Sequence, residues 1–148
     1  MATLTGGGKL EGKLREFARW LSGAQTVRIG FLKGATYPNG TPVALVAAVQ
    51  EFGAPRRNIP PRPFFRDMIA ARKGEWPAAI ATLLKSNDFD AKKTLQMTGE
   101  AVAGQLRKSI SDFHGAPLKP ATIARKGSSK QLIDSGVMLQ SVSYEVKT

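Results

Sequence analysis

Four of the ten residues from Ala54 to Pro63 are proline, and this run limits the fold more than any other feature of the chain. Proline fixes φ, removes a backbone donor and biases the preceding residue toward extended geometry, so neither a helix interior nor a central strand can pass through it. The segment Ala-Pro-Arg-Arg-Asn-Ile-Pro-Pro-Arg-Pro therefore reads as an extended, semi-rigid arm without regular structure. What lies before and after it must be built from separate elements. At 148 residues those elements fit one domain, 1–148, with a flexible leader at 1–9 and the arm at 54–63.

Before the arm, Leu10, Leu14, Phe17 and Leu21 recur at helical spacing while Lys13, Arg15, Glu16 and Arg19 fall elsewhere, which predicts a helix over 10–21 stopped by Gly23. From Thr26 to Leu32 the period changes to two, with Val27, Ile29 and Phe31 on one face, as in a half-buried strand. Gly34, Pro38, Asn39 and Gly40 make a loop. Thr41 and Pro42 then read as an N-cap and first helical residue. The helix they start, Val43 to Phe52, is apolar nearly all round and should be buried on most sides, with Gly53 ending it.

After the arm, a helix from Phe64 to about Lys73 should break at Gly74 and restart near Trp76 toward Leu84. Phe65, Met68, Ile69, Trp76, Ile80, Leu83 and Leu84 would form its buried stripe. Asp88 or Asp90 caps the longest helix, about 91–113, with Leu95, Val102, Leu106, Ile110 and Phe113 on one face. A short turn at 121–126 stops at Gly127. Asp134 is placed to cap another short turn through Leu139. The alternation of Val142, Tyr144 and Val146 ends the pattern as a strand over 140–147, antiparallel to 26–32. The fold class is thus α+β, a small antiparallel sheet packed with several helices.

Little here suits catalysis. With no cysteine, thiolate metal sites, disulfides and a cysteine nucleophile are excluded, and the single histidine, His114, has no partners that would make it a base. Gly6-Gly7-Gly8-Lys9 lacks the preceding strand, glycine spacing and hydroxyl of a phosphate loop. Ser128, Ser129 and Lys130 read as a solvated turn rather than a Ser–Lys pair. No enzyme activity, cofactor or metal is expected. The start has neither the charge nor the apolar core of a signal peptide, and no stretch approaches the roughly 18 apolar residues of a membrane span, so a protein made in the cytosol and free of membranes is expected.

Charge is the stronger signal. The chain carries 22 Lys and Arg against 11 Asp and Glu, a net +11, with 12 basic and 4 acidic residues up to Gly74 and 10 and 7 beyond it. Arg56, Arg57, Arg62 and Arg66 cluster on and beside the arm. A second basic segment holds Lys119, Arg125, Lys126 and Lys130 with no acid between 114 and 130. Arginines beside a stiff arm can pair with carboxylates of a neighbouring protein or bind phosphates. The alternative to protein docking is therefore a basic nucleic-acid-binding module gripping DNA directly, although no recognition helix or stacking platform is evident.

Two blocks carry a family resemblance. Val43 to Phe52 with Gly53-Ala54, then Ile59-Pro60-Pro61-Arg62-Pro63-Phe64-Phe65-Arg66, resembles the signature of small neck and tail-completion proteins of long-tailed bacteriophages and prophages. Pro117-Leu118, Pro120, Thr122-Ile123 and Arg125-Lys126-Gly127, followed by Leu132-Ile133-Asp134-Ser135-Gly136 and Ser141-Val142 with Tyr144, is similar to the same family's C-terminal part. Ser135 stands where threonine is usual and Gln131 where proline is common. The resemblance implies a structural virion protein of the neck, assembled in the host cytoplasm, that forms a homo-oligomeric, sixfold ring and joins the tail to the head. Its partners would be copies of itself and neighbouring connector, tail terminator or tail tube proteins, with nonspecific contact to passing DNA. The docking residues would be Arg56, Arg57, Ile59, Pro60, Pro61, Arg62, Pro63, Phe64, Phe65 and Arg66, with the second basic segment as an auxiliary surface.

Overall fold

The computed structural model describes residues 7–22, 26–115, 120–126 and 136–147, leaving aside the side chains of 20–22 and 126. The elements run α1 (Gly7–Ser22), β1 (Thr26–Phe31), α2 (Val43–Phe52), a 3₁₀ turn (Pro55–Arg57), α3 (Phe64–Arg72), α4 (Trp76–Ser86), α5 (Ala91–Asp112), α6 (Pro120–Lys126), α7 (Val137–Gln140) and β2 (Val142–Lys147). The architecture is α+β, as the two periodicities of the sequence predict. The helix break at 73–75 and the restart at Trp76 also fall where glycine and proline place them. The first helix begins at Gly7, inside the segment expected to be a leader. The expected stops at Gly23 and Gly127 and the cap at Asp134 lie outside the described residues.

The two strands pair antiparallel with Thr26 opposite Lys147, Ile29 opposite Tyr144 and Phe31 opposite Val142. A two-stranded ribbon is marginal alone and needs a helix against it. That helix is α5. Its buried line includes small residues, Ala91, Gly99 and Ala103, as well as Val102, Leu106 and Ile110, so the helix can lie close to the sheet. At Gly99 a Cβ would fall 2.7 Å from Tyr144 Cγ and 3.0 Å from Val27 Cγ2, which no ordinary packing allows. Leu95 and Phe113, expected on the buried face, are only half-buried.

Helices α3 and α4 also pack on α5. Trp76 Nε1 donates to Gln105 Oε1 at 3.0 Å, and Ser109 Oγ donates to the Phe64 carbonyl at 2.7 Å. Arg107 donates to the Val142 carbonyl at 2.8 Å and ties α5 to the start of β2. The core joins Val43, Ala47, Phe64, Met68, Leu106 and Met138 with the residues named above.

Of the two candidate caps for α5, Asp90 does the work, accepting from the Lys93 N–H at 2.9 Å. Asp88 instead takes a left-handed conformation in the preceding turn, φ 52°. At α2 the cap is Pro42, not Thr41, and no side chain bonds to it. The reason lies in the loop, where the Thr41 N–H is held by Asn39 Oδ1 and the Val43 N–H by the Ala35 carbonyl.

Three further expectations need correction. The stripe predicted for α3 and α4 has only Met68 fully buried, the others being half-buried, while Phe64, left out of it, is only 1% exposed and meets Phe31 edge-on at 6.2 Å. Helix α2 is buried along one line only, Val43, Ala47 and Glu51, because α3, β1 and α7 all pack on that side. Its opposite side leaves Leu45 57% and Phe52 66% exposed. Third, residues 54–63 are not an extended arm. The 3₁₀ turn leads to Asn58 in a left-handed conformation, and Ala54 and Ile59 pair through both backbone N–H groups at 2.9 and 3.2 Å. The run folds into a compact loop against the end of α2. Proline forbids helix interiors and sheet ladders, but it is well suited to the first position of a tight turn.

Candidate docking surface

The loop is fastened by the last turn of α2. Gly53 turns the chain at φ 74°, and a Cβ there would sit 2.8 Å from both the Ile59 carbonyl oxygen and the Pro61 nitrogen, so only glycine fits beneath the returning loop. The Arg62 N–H donates to the Gln50 carbonyl at 2.7 Å, and the Arg62 guanidinium donates to Gln50 Oε1 at 2.5 Å. Burial in this position pushes the Arg62 guanidinium below its usual pKa, because a partly desolvated cation is less well solvated than in water.

Glu51 is the centre of the arrangement. Its side chain is nearly buried, and its carboxylate accepts from the Phe65 N–H at 2.9 Å, the Arg66 N–H at 3.2 Å and Arg66 Nε at 2.7 Å. The N-cap of α3 is Pro63, which has no side chain able to cap the helix. The carboxylate from α2 supplies that cap across the loop, where an anion also meets the positive end of the helix dipole. Arg66 then donates to the Glu51 carbonyl at 3.0 Å and lies over the Phe52 ring, 5.1 Å from its centroid. A guanidinium on an aromatic face holds that face in place while leaving it in contact with solvent.

Between β1, α2 and α3 lies an open groove of about 310 Å³. Ala44, Ala47 and Ala48 form one wall, and Phe65 lies against Gly30 at its floor, with Ile29 beside them. Phe52 and Arg66 stand at its end. Leu45 is exposed on the same helix.

The expected docking residues thus divide. Arg56, Arg57, Pro60, Pro61 and Arg66 are exposed, whereas Ile59, Arg62, Pro63 and Phe65 are half-buried. Phe64 belongs to the core and is not available to a partner. Among the described residues neither Arg56 nor Arg57 makes an ion pair. In the second basic segment Arg125 is exposed on α6, while Lys119, Lys130 and the Lys126 side chain lie outside the described residues, as do Ser128 and Ser129. Among the described residues no three His, Asp or Glu side chains group as metal ligands, and no helix is long and apolar enough to cross a membrane.

Two parts of this surface were absent from the sequence reading. Glu51 had a signal, since it stands four and eight residues after Ala47 and Val43 on the buried stripe of α2, an unusual place for an unpaired acid. The exposed side of α2 had none, because an all-apolar helix does not say which face the fold will cover. Compared with family models, curated proteins and solved structures, the chain matches none.

Proposed function

We propose that this chain is a structural, non-catalytic virion protein of the phage neck, a ring-forming subunit that completes the tail and joins it to the head connector. One observation carries the reading beyond the resemblance. The residues bearing its first signature block, Val43 to Arg66, are pinned together by Glu51 and expose both apolar side chains, Leu45 and Phe52, and the arginines Arg56 and Arg57, which make no ion pair among the described residues. An exposed apolar patch rimmed by charge is characteristic of surfaces that bind protein, and a surface fixed in advance loses less entropy on docking than a loose one. The stiffness expected of a proline arm is supplied here by Glu51, Gly53 and the paired backbone of Ala54 and Ile59.

The test combines purified protein with particles assembled in its absence. Native mass spectrometry and electron microscopy should find closed rings, and adding the protein should join heads to tails. Arg56→Glu with Arg57→Glu, and separately Leu45→Ser with Phe52→Ser, should cut joining by about ten-fold or more while leaving the circular dichroism spectrum unchanged. A chain that stays monomeric and leaves particles unjoined at every concentration would sink the proposal.

A further inference from the structure

Among the described residues nothing closes the groove between β1, α2 and α3, and the charge of its neighbourhood says what kind of cover suits it. Within Val43 to Arg66 the only acid is Glu51, against Arg56, Arg57, Arg62 and Arg66. Glu51 is nearly buried and spent on the N-terminus of α3 and on Arg66, so it offers nothing to an incoming cation. Arg66 over Phe52 is balanced by Glu51, whereas Arg56 and Arg57, exposed on the 3₁₀ turn that follows the C-terminal end of α2, make no ion pair among the described residues, so the uncompensated charge at that end of the helix is positive.

We infer that the groove receives an acidic, apolar-anchored segment of a different protein, not a second copy of this chain. The assignment rests on the docking reading above only for its choice of surface. The most suitable segment of a copy would be α1, which exposes Leu10 and Leu14. It carries Lys9, Lys13, Arg15 and Arg19 against Glu11 and Glu16, and Glu11 is already paired with Arg15 at 2.6 Å. Charge thus argues against α1 as the occupant and for carboxylates. Geometry adds polarity. Helix α2 is ten residues, roughly 15 Å, long, which matches about four extended residues or a few helical turns of a partner. Its apolar anchors would lie along Ala44, Ala48 and Phe52, with carboxylates following at the end where Arg56 and Arg57 stand.

The test uses the isolated full chain and three synthetic peptides of equal length. One alternates Leu and Phe with Glu, the second replaces each Glu with Lys, and the third is polyglutamate. Binding is followed by calorimetry and by the NMR shifts of Ala44, Ala48 and Phe65, which line the groove. The Leu/Phe/Glu peptide should bind at the groove at least about ten-fold more tightly than either of the others. Arg56→Glu with Arg57→Glu should reverse the preference between Glu and Lys peptides. Leu45→Ser with Phe52→Ser, both exposed positions, should abolish the shifts with the fold intact. Equal binding of the Glu and Lys peptides overturns the inference, as does polyglutamate binding as tightly as the anchored peptide. Shifts confined to other surfaces overturn it too, and so does tight self-association through the groove. Because peptide binding is read on the isolated chain, failure to form rings or join particles leaves this result standing. Conversely, if the peptides fail while the arginine variants still block joining, only the partner's chemistry is wrong.

Discussion

Removing the Glu51 carboxylate leaves two backbone donors at the start of α3 without their acceptor in a nearly buried place, and takes from the exposed Arg66 guanidinium its ion-pair partner. Glu51→Ala should therefore destabilise the fold by about 3 kcal/mol, and Glu51→Gln, which keeps the shape and one acceptor, by about 1–2 kcal/mol. The midpoint of urea unfolding at unchanged slope measures both, and a Gln variant as stable as the parent would mean that cavity formation, not the charge-assisted bonds, sets the cost of Glu51→Ala. Gly99 and Gly104 offer a paired comparison within one helix. Alanine ordinarily gains about 1 kcal/mol over glycine in a helix interior. At Gly104 nothing lies within 4 Å of the added carbon, so Gly104→Ala should stabilise by roughly 0.5–1 kcal/mol. At Gly99 the added carbon overlaps the Tyr144 ring, and displacing the sheet should outweigh propensity, leaving a net loss of about 1–3 kcal/mol. Thermal unfolding of the two variants should shift in opposite directions. The same pair shows the limit of reading single residues from sequence. Both glycines look like equal blemishes in a helical pattern, and only the partner strand, over forty residues away, tells them apart.

At the scale of elements, periodicity located the helices and strands because each buries one face, and burial is what the pattern records. The antiparallel pairing of Thr26–Phe31 with Val142–Lys147 followed from there being two half-buried strands with only each other to pair with. The proline run behaved differently. Its composition excludes regular elements but does not choose between an arm and a folded loop, since that choice depends on Gln50 and Glu51 of the preceding helix meeting donors from Arg62 and from the start of the following helix, and on Gly53 letting the chain turn beneath them. The left-handed Asn58 between Arg57 and Ile59 is the local device that closes the turn. Asn58→Gly should leave stability within about 0.5 kcal/mol of the parent, whereas Asn58→Ala should cost about 1 kcal/mol, because a Cβ without asparagine's local hydrogen bonding is disfavoured at φ 54°. If denaturant midpoints show no difference between these variants, the turn does not depend on that conformation.

For the molecule as a whole, the charge and the groove belong to one argument. The excess of +8 over residues 1–74 against +3 over 75–148 sits on the half that carries α2, the pinned loop and β1. A field of this kind speeds the approach of any acidic partner, protein or DNA, so attraction alone does not discriminate between them. Salt does. Contact with a duplex releases counterions and weakens with a slope of about 0.9 per phosphate neutralised, whereas a docked segment with apolar anchors keeps the part of its affinity that comes from burial. The chain should therefore bind duplex DNA weakly and without sequence preference at low salt and lose it by about 0.2 M, while the anchored acidic peptide retains groove binding there. Filter binding and calorimetry across a salt series make the comparison. Should DNA persist at 0.2 M and Arg56→Glu with Arg57→Glu lower its log–log slope by about 2, those arginines hold phosphates, and the nucleic-acid-binding reading replaces docking.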